Sequence, residues 1–155
     1  MSKTNAIRIL EREKIDFDVV TYDFNENELD AVSVAKKIGK NPETVFKTLV
    51  ARGNKTGINV FCIPGNFELN LKKAAKVSGN KSVQLIKVKE LFPLTGYIRG
   101  GCSPIGMKNH YPVFIDETAQ IFESIYVSAG VRGMQIKISP LELANIVNAE
   151  LVDLI

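Results

Sequence analysis

The chain has 155 residues, with 20 Lys and Arg against 17 Asp and Glu and a formal net charge of +3. That length suits a single domain over residues 1–155, and 45% hydrophobic with 24% charged residues is an ordinary balance for a globular protein. No apolar run reaches the roughly 20 residues of a membrane span. No hydrophobic leader follows the first residues. Two cysteines and one histidine fall short of the about four ligands of a structural zinc site. A cytoplasmic protein without metal, cofactor or membrane attachment is expected, and its slight basicity suits RNA without requiring it.

In chain order, Ala6, Ile7, Ile9 and Leu10 form an apolar stripe that predicts a helix over 4–14, with Arg8, Glu11 and Arg12 facing water. Positions 17–22 read as a strand and the acidic stretch 23–30 as a mobile loop. Asp30 is placed to cap a helix on Ala31, Val34, Ala35 and Ile38, with Gly39 at its C′ position. Asn41-Pro42 predicts one helical turn, and 45–51 with 58–63 predict a hairpin. Asn70 caps a helix over 71–78, 83–86 is a short strand, and Pro93 stops a short helix begun at Val88. Strands follow at 112–115, 125–127 and 134–138. Ser139-Pro140-Leu141-Glu142 is a capping box that starts a helix running to about 148. Helices and strands mix without the alternation of a doubly wound sheet, so an α+β fold with a mixed, barrel-like sheet is expected.

Two glycine-centred segments carry the chemistry: Gly100-Gly101-Cys102-Ser103-Pro104-Ile105-Gly106 and Ser128-Ala129-Gly130-Val131-Arg132-Gly133. Each follows an apolar, strand-like run, Tyr97-Ile98 and Ile125-Tyr126-Val127. Glycine there permits positive φ and close approach to bare amides, which can hold a polarised oxygen. Lys47 falls inside a strand, on the face shared by Val45 and Leu49. Its ammonium either snorkels to water or occupies a polar pocket with a partner or ligand. Cys102, with His110 eight positions on, is a candidate nucleophile. Set against that is a pocket-lining cysteine, because nothing orients the histidine toward the thiol. Tyr22, at a strand end, either points its hydroxyl into the same cavity or is a core-edge tyrosine, Thr48 and Ser128 are candidates to hydrogen-bond a substrate amine or hydroxyl, and Arg132 is either a phosphate ligand or a solvated turn residue.

Taken together, these segments resemble the YbaK/EbsC family of aminoacyl-tRNA deacylases, in particular its cysteinyl-tRNA(Pro) deacylases. The similarity runs from the first helix to Ser139. It rests on Val20-Thr21-Tyr22, Val45-Phe46-Lys47-Thr48-Leu49, Leu69-Asn70-Leu71-Lys72-Lys73, Thr95-Gly96-Tyr97, the long glycine segment and Ile125-Tyr126-Val127-Ser128-Ala129-Gly130.

The resemblance implies a six-stranded mixed barrel with flanking helices, like the editing domain of bacterial prolyl-tRNA synthetases. It also implies clearance of mischarged Cys-tRNA(Pro), in which the substrate's own thiol attacks the aminoacyl ester. Lys47 would be essential, Gly100 and Gly101 would receive the scissile carbonyl, and Tyr22, Thr48, Cys102, Ser128, Ala129 and Gly130 would line the pocket. The implied partners are the acceptor end of tRNA(Pro) and prolyl-tRNA synthetase. Gln135 stands where well-known cysteinyl deacylases carry an aspartate, Asn70 replaces a common aspartate, and Cys102 replaces a residue that is often aliphatic. Amino-acid preference is thereby left open, with Ala-tRNA(Pro) an alternative substrate. A non-catalytic tRNA- or nucleotide-binding module is the rival from another class.

Overall fold

The computed structural model describes residues 3–155. Helix α1 (Asn5–Arg12) is capped by the Thr4 side chain, which accepts from the Ile7 amide. Its apolar stripe Ala6, Ile7 and Leu10 is buried. After β1 (Phe17–Thr21), α2 (Ala31–Ile38) starts where Asp30 accepts from the Ser33 amide and ends at Gly39 in the left-handed region. A 3₁₀ turn at Pro42–Thr44 leads into the hairpin β2 (Phe46–Gly53) and β3 (Gly57–Pro64). The middle of the chain supplies α3 (Leu71–Val77), capped by Asn70, then β4 (Val83–Leu85) and α4 (Val88–Thr95). The last third holds β5 (Val113–Asp116), a 3₁₀ turn (Glu117–Ile121), β6 (Ile125–Ser128), β7 (Met134–Ile138), α5 (Pro140–Ile146) and β8 (Glu150–Val152).

Several local expectations are corrected. Pro93 does not stop α4: the helix continues to Thr95 and closes on Gly96 at φ 81°. Proline at the sixth position removes a donor late in a short helix, where one remaining turn tolerates the loss. Tyr97-Ile98 is not a strand; it is a connector into the turn at Arg99–Gly100. The first helix ends at Arg12 rather than 14, where Lys14 takes a positive φ of 56°. Strand β8 and the Glu117–Ile121 turn carry no sequence signal that the reading used. They are held by Asp116, which is fully buried and accepts from the Leu154 and Thr118 amides.

The α+β arrangement is as expected, but the strands fall into two sheets. One has the order β1-β7-β6 and the other β4-β2-β3-β5-β8. Among the described residues, one backbone bridge joins them, between Val45 and Tyr126. Inner faces from both sheets nevertheless enclose one core: Phe46 and Val50, Val60 and Cys62, Val113 and Ile115, Ile125 and Val127, and Met134, Ile136 and Ile138. Helices α1 and α5 cover it with Leu10 and Leu143. Side chains thus wrap as in a barrel although the backbone ladder does not close.

The outer faces carry two smaller clusters. Under α2, Val34 and Ala35 meet Val45 and Tyr126; beside α3, Ala74 and Ala75 meet Ala51, Phe61 and Ile63. Strand β2 and the residue that leads into it serve both, because Val45 joins the first cluster and Leu49 packs on the second. Lys47, between them on the same face, lies at the seam that neither apolar cluster fills.

Candidate active site

The seam opens as a hollow of about 170 Å³ where β2 parts from β6. It is smaller than the roughly 300–1,000 Å³ of pockets for drug-sized ligands, so it suits only a small group. Its wall takes Lys47 and Thr48 from β2, Ser128 from β6 and Gln135 from β7. Gly100 and Cys102 come from the long glycine segment, and Asp30 and Val34 from α2 and its cap. Sequence-distant stretches therefore meet at one hollow, to which the second glycine segment contributes Ser128.

Lys47 is half-buried and donates to the Gly65 carbonyl at 3.2 Å. Burial pushes its ammonium below the ordinary 10.5, and the carboxylates of Glu68 and Asp30 pull it back in part. Gly65 is itself fixed by its amide, which donates to the Val45 carbonyl at 2.8 Å. A Cβ at Gly65 would meet the Ala31 side chain at 2.6 Å, so helix α2 approaches too closely for any larger residue. The lysine is thus aimed by β2 on one side and by a closely packed turn on the other.

The two glycine segments interlock. Gly100 takes φ 85°, and a Cβ there would press on Leu29 at 3.0 Å. A Cβ at Gly101 would meet the Val131 backbone at 3.1 Å, and Arg132 Nε donates to the Arg99 carbonyl at 2.9 Å. Tyr97, buried, joins both: its hydroxyl donates to the Ile105 carbonyl at 2.5 Å and its ring lies against Gly130. The sequence pattern gives Tyr97 no role in this joint and leaves Arg132 either a phosphate ligand or a solvated turn residue; here its Nε is engaged with the Arg99 carbonyl.

Not all the expected groups reach the hollow. The Gly101 amide is engaged with the Ile98 carbonyl at 2.9 Å. The Ala129 amide donates to the Met134 carbonyl at 3.0 Å and the Gly130 amide to Ser128 Oγ at 3.1 Å. These three close their own turns, whereas the Gly100 and Cys102 amides have no acceptor among the described residues. Tyr22 packs with Val20 on the cluster under α2, outside the hollow. Leu29, Asp30, Ala31, Val34 and Gly65 line it without having been singled out. Leu29 and Gly65 lie in a loop and a turn, where no periodicity reports what a residue faces, whereas Asp30, Ala31 and Val34 belong to the cap and first turn of α2, whose spacing shows an apolar face but not what it meets.

The thiol pair does not form. Burial raises Cys102 to about 12 despite a hydrogen bond with Thr95, so the sulfur is protonated at neutral pH. His110 is exposed and lines a separate hollow of about 440 Å³ with Arg12 and Tyr111. The remaining wall group, Gln135, is 5% exposed, and its Oε1 is buried without a partner. A buried polar atom left unpaired typically costs about 1–3 kcal/mol.

The site can therefore do limited chemistry: Lys47 and Gly100 border a small hollow, and the one thiol on its described wall, Cys102, is held protonated. Comparison with known proteins shows the family. Residues 25–146 match the model of the aminoacyl-tRNA editing domain. A protein of Enterococcus faecalis named as a candidate Cys-tRNA(Pro)/Cys-tRNA(Cys) deacylase, EbsC, is 48% identical over 152 residues, covering 98% of this chain and 93% of that protein. A proline–tRNA ligase of Shouchella clausii is 28% identical over 99 residues, which are 64% of this chain and 17% of the ligase. A crystal structure of a candidate trans-editing enzyme for prolyl-tRNA synthetase superposes with a TM-score of 0.83 at 25% identity, over 99% of this chain and 98% of that one. The chain belongs to the family of aminoacyl-tRNA editing domains.

Proposed function

We propose that the protein is a trans-editing deacylase that clears Cys-tRNA(Pro). The observation that carries the reading is the meeting of Lys47 and Gly100 at one small hollow in a chain of the editing family. The 48% identical relative bears a name for the same substrate.

The missing protein nucleophile is consistent with a reaction that uses the substrate's own thiol. The cysteinyl sulfur attacks the ester carbonyl, a C–S bond forms, and the C–O bond to the terminal ribose breaks. The thiol proton ends on the ribose oxygen, releasing tRNA and a cysteine thiolactone. An intramolecular thiol already has a high effective concentration, so the protein's task is to orient the ester and stabilise the developing oxyanion. The Gly100 amide is the donor for that oxyanion, with the Cys102 amide beside it, and Gly101 serves through the shape of its turn. Lys47 holds the ester or the terminal ribose-phosphate. Thr48, Cys102 and Ser128 form the wall around the side chain; Tyr22, Ala129 and Gly130 support it from behind. The tRNA enters by its acceptor end, and prolyl-tRNA synthetase supplies the selection of tRNA(Pro).

Purified protein is tested on Cys-tRNA(Pro), Ala-tRNA(Pro) and Pro-tRNA(Pro). Rapid loss of cysteine with Pro-tRNA(Pro) intact is expected, and Lys47→Ala should slow the reaction about 10²–10³-fold, the scale of a lost charge-stabilising donor, with tRNA affinity changed far less. A preference for alanine, which has no thiol, would keep the deacylase class and overturn the thiol mechanism. Inactivity on all three would overturn the reading and leave a binding module.

A further inference from the structure

The hollow is bordered by an anion as well as a cation. Asp30, the cap of α2, lines it together with Lys47 and is the one carboxylate on the described wall. The Ser33 amide and hydroxyl fix that carboxylate, donating to Oδ2 and Oδ1 at 3.1 and 2.7 Å. Those bonds leave about two of a carboxylate's four acceptor positions open. Ser33 chiefly, with a small contribution from Lys47, holds the Asp30 carboxyl below its ordinary 3.8, so it is charged at neutral pH. Lys47 donates elsewhere, to the Gly65 carbonyl. Among the described residues neither charge belongs to an ion pair. Glu68 also acts on the lysine, but it does not line the hollow. A space of about 170 Å³ is thus offered a separate cation and a separate anion, and a ligand that answers both must itself carry the two opposite characters close together.

Resting on the deacylase reading above, we infer that the Asp30 carboxylate receives the α-ammonium of the bound aminoacyl ester while Lys47 holds its oxygen side, so that the hollow selects an amino acid ester over one lacking the amino group. An aminoacyl ester carries both complements on adjacent carbons: electron-rich oxygens on the ester carbon and a cationic donor on Cα. With the ester held at Lys47 and the ammonium at Asp30, the remaining substituent of Cα, the CH₂–SH arm, is the one left to turn onto the carbonyl. The carboxylate does not compete for the lysine, because Ser33 and Gly65 hold the two charges to separate partners. Asp30 is then a binding and specificity residue as well as a helix cap.

The test uses tRNA(Pro) esterified with cysteine or with 3-sulfanylpropanoic acid, which keeps the thiol and loses the amino group. Asp30→Asn separates the two duties, since asparagine caps a helix as well as aspartate does but carries no charge. Its urea midpoint should stay close to wild type. Its KM for the cysteinyl ester should rise about fivefold, near the upper end for a solvent-exposed ion pair, with KM for the amino-free ester unchanged. Where the amino-free ester turns over too slowly to follow, its inhibition constant against the cysteinyl ester takes the place of KM. If the asparagine variant does not fold, Asp30→Ser also caps and should show the same selective loss. An equal rise on both esters would mean that Asp30 acts through Lys47 or through α2, and would overturn the inference, as would no change on either; the deacylase reading stands in both cases. No activity of wild type on either ester would remove both.

Discussion

A lysine inside a strand ordinarily escapes by stretching its stem to water. Lys47 instead meets the Gly65 carbonyl in the gap between two apolar clusters, with its charge partly desolvated. Alternation along β2 was enough to place it on the Val45–Leu49 face, because period two is a property of the backbone itself. That the gap beside it is a pocket was not readable, since the walls come from residues 29–34, 65, 100 and 135. Cys102 shows the reverse case. As a residue type it invites a nucleophilic reading, but its burial keeps the sulfur protonated, with a pKa of about 12. Cys102→Ala should therefore keep deacylation within about tenfold of wild type, whereas a lost nucleophile or its base costs several orders of magnitude. A single-turnover assay on Cys-tRNA(Pro) distinguishes the two.

At the scale of elements, the capping residues did most of the work of setting boundaries. Asp30, Asn41, Asn70 and Ser139 each accept from an amide of the turn they begin. These bonds are local, and local chemistry is visible in sequence. Asp30 has a second duty, because the helix it starts supplies Ala31 and Val34 to the hollow. Asp30→Ala should cost about 1 kcal/mol of stability, read as a lower urea midpoint. It should also weaken substrate binding more than Asp16→Ala, a control in the connector after α1. The side chain's hydrogen bond with Ser33 holds the Asp30 carboxyl below its ordinary 3.8. Its contribution is therefore present above that value and lost as the pH falls through the lowered one. Where elements were misjudged, the determining contact was distant: β8 exists because it pairs with β5 and because Asp116 anchors Leu154.

For the whole molecule, three acidic side chains are held protonated by the fold. Burial raises Cys62, Cys102 and Tyr97 to about 12. The unfolded chain releases the thiol protons near pH 9 while the folded chain keeps them. The thiol contribution is therefore complete below that pH and is lost as the pH rises toward 12. Each thiol steepens the alkaline decline by at most about 1.4 kcal/mol per pH unit. Urea melts at pH ~8 and ~10.5 should show a marked fall for wild type and a smaller one for Cys102→Ala.

Sequence by itself determined most helix starts and their caps, the β2–β3 hairpin, the face on which Lys47 lies, and the glycines at which the backbone can take positive φ. All of these follow from interactions within a few residues, or from the fixed periods of helix and strand. Tertiary structure alone decided that the sheet divides in two around a shared core, and that Gly65 receives the lysine. It also decided that the Gly101, Ala129 and Gly130 amides close their own turns, and that Gln135 is left with a buried oxygen and nothing to bind. Those outcomes depend on which distant groups arrive beside one another when side chains pack, a relation that no local spacing encodes.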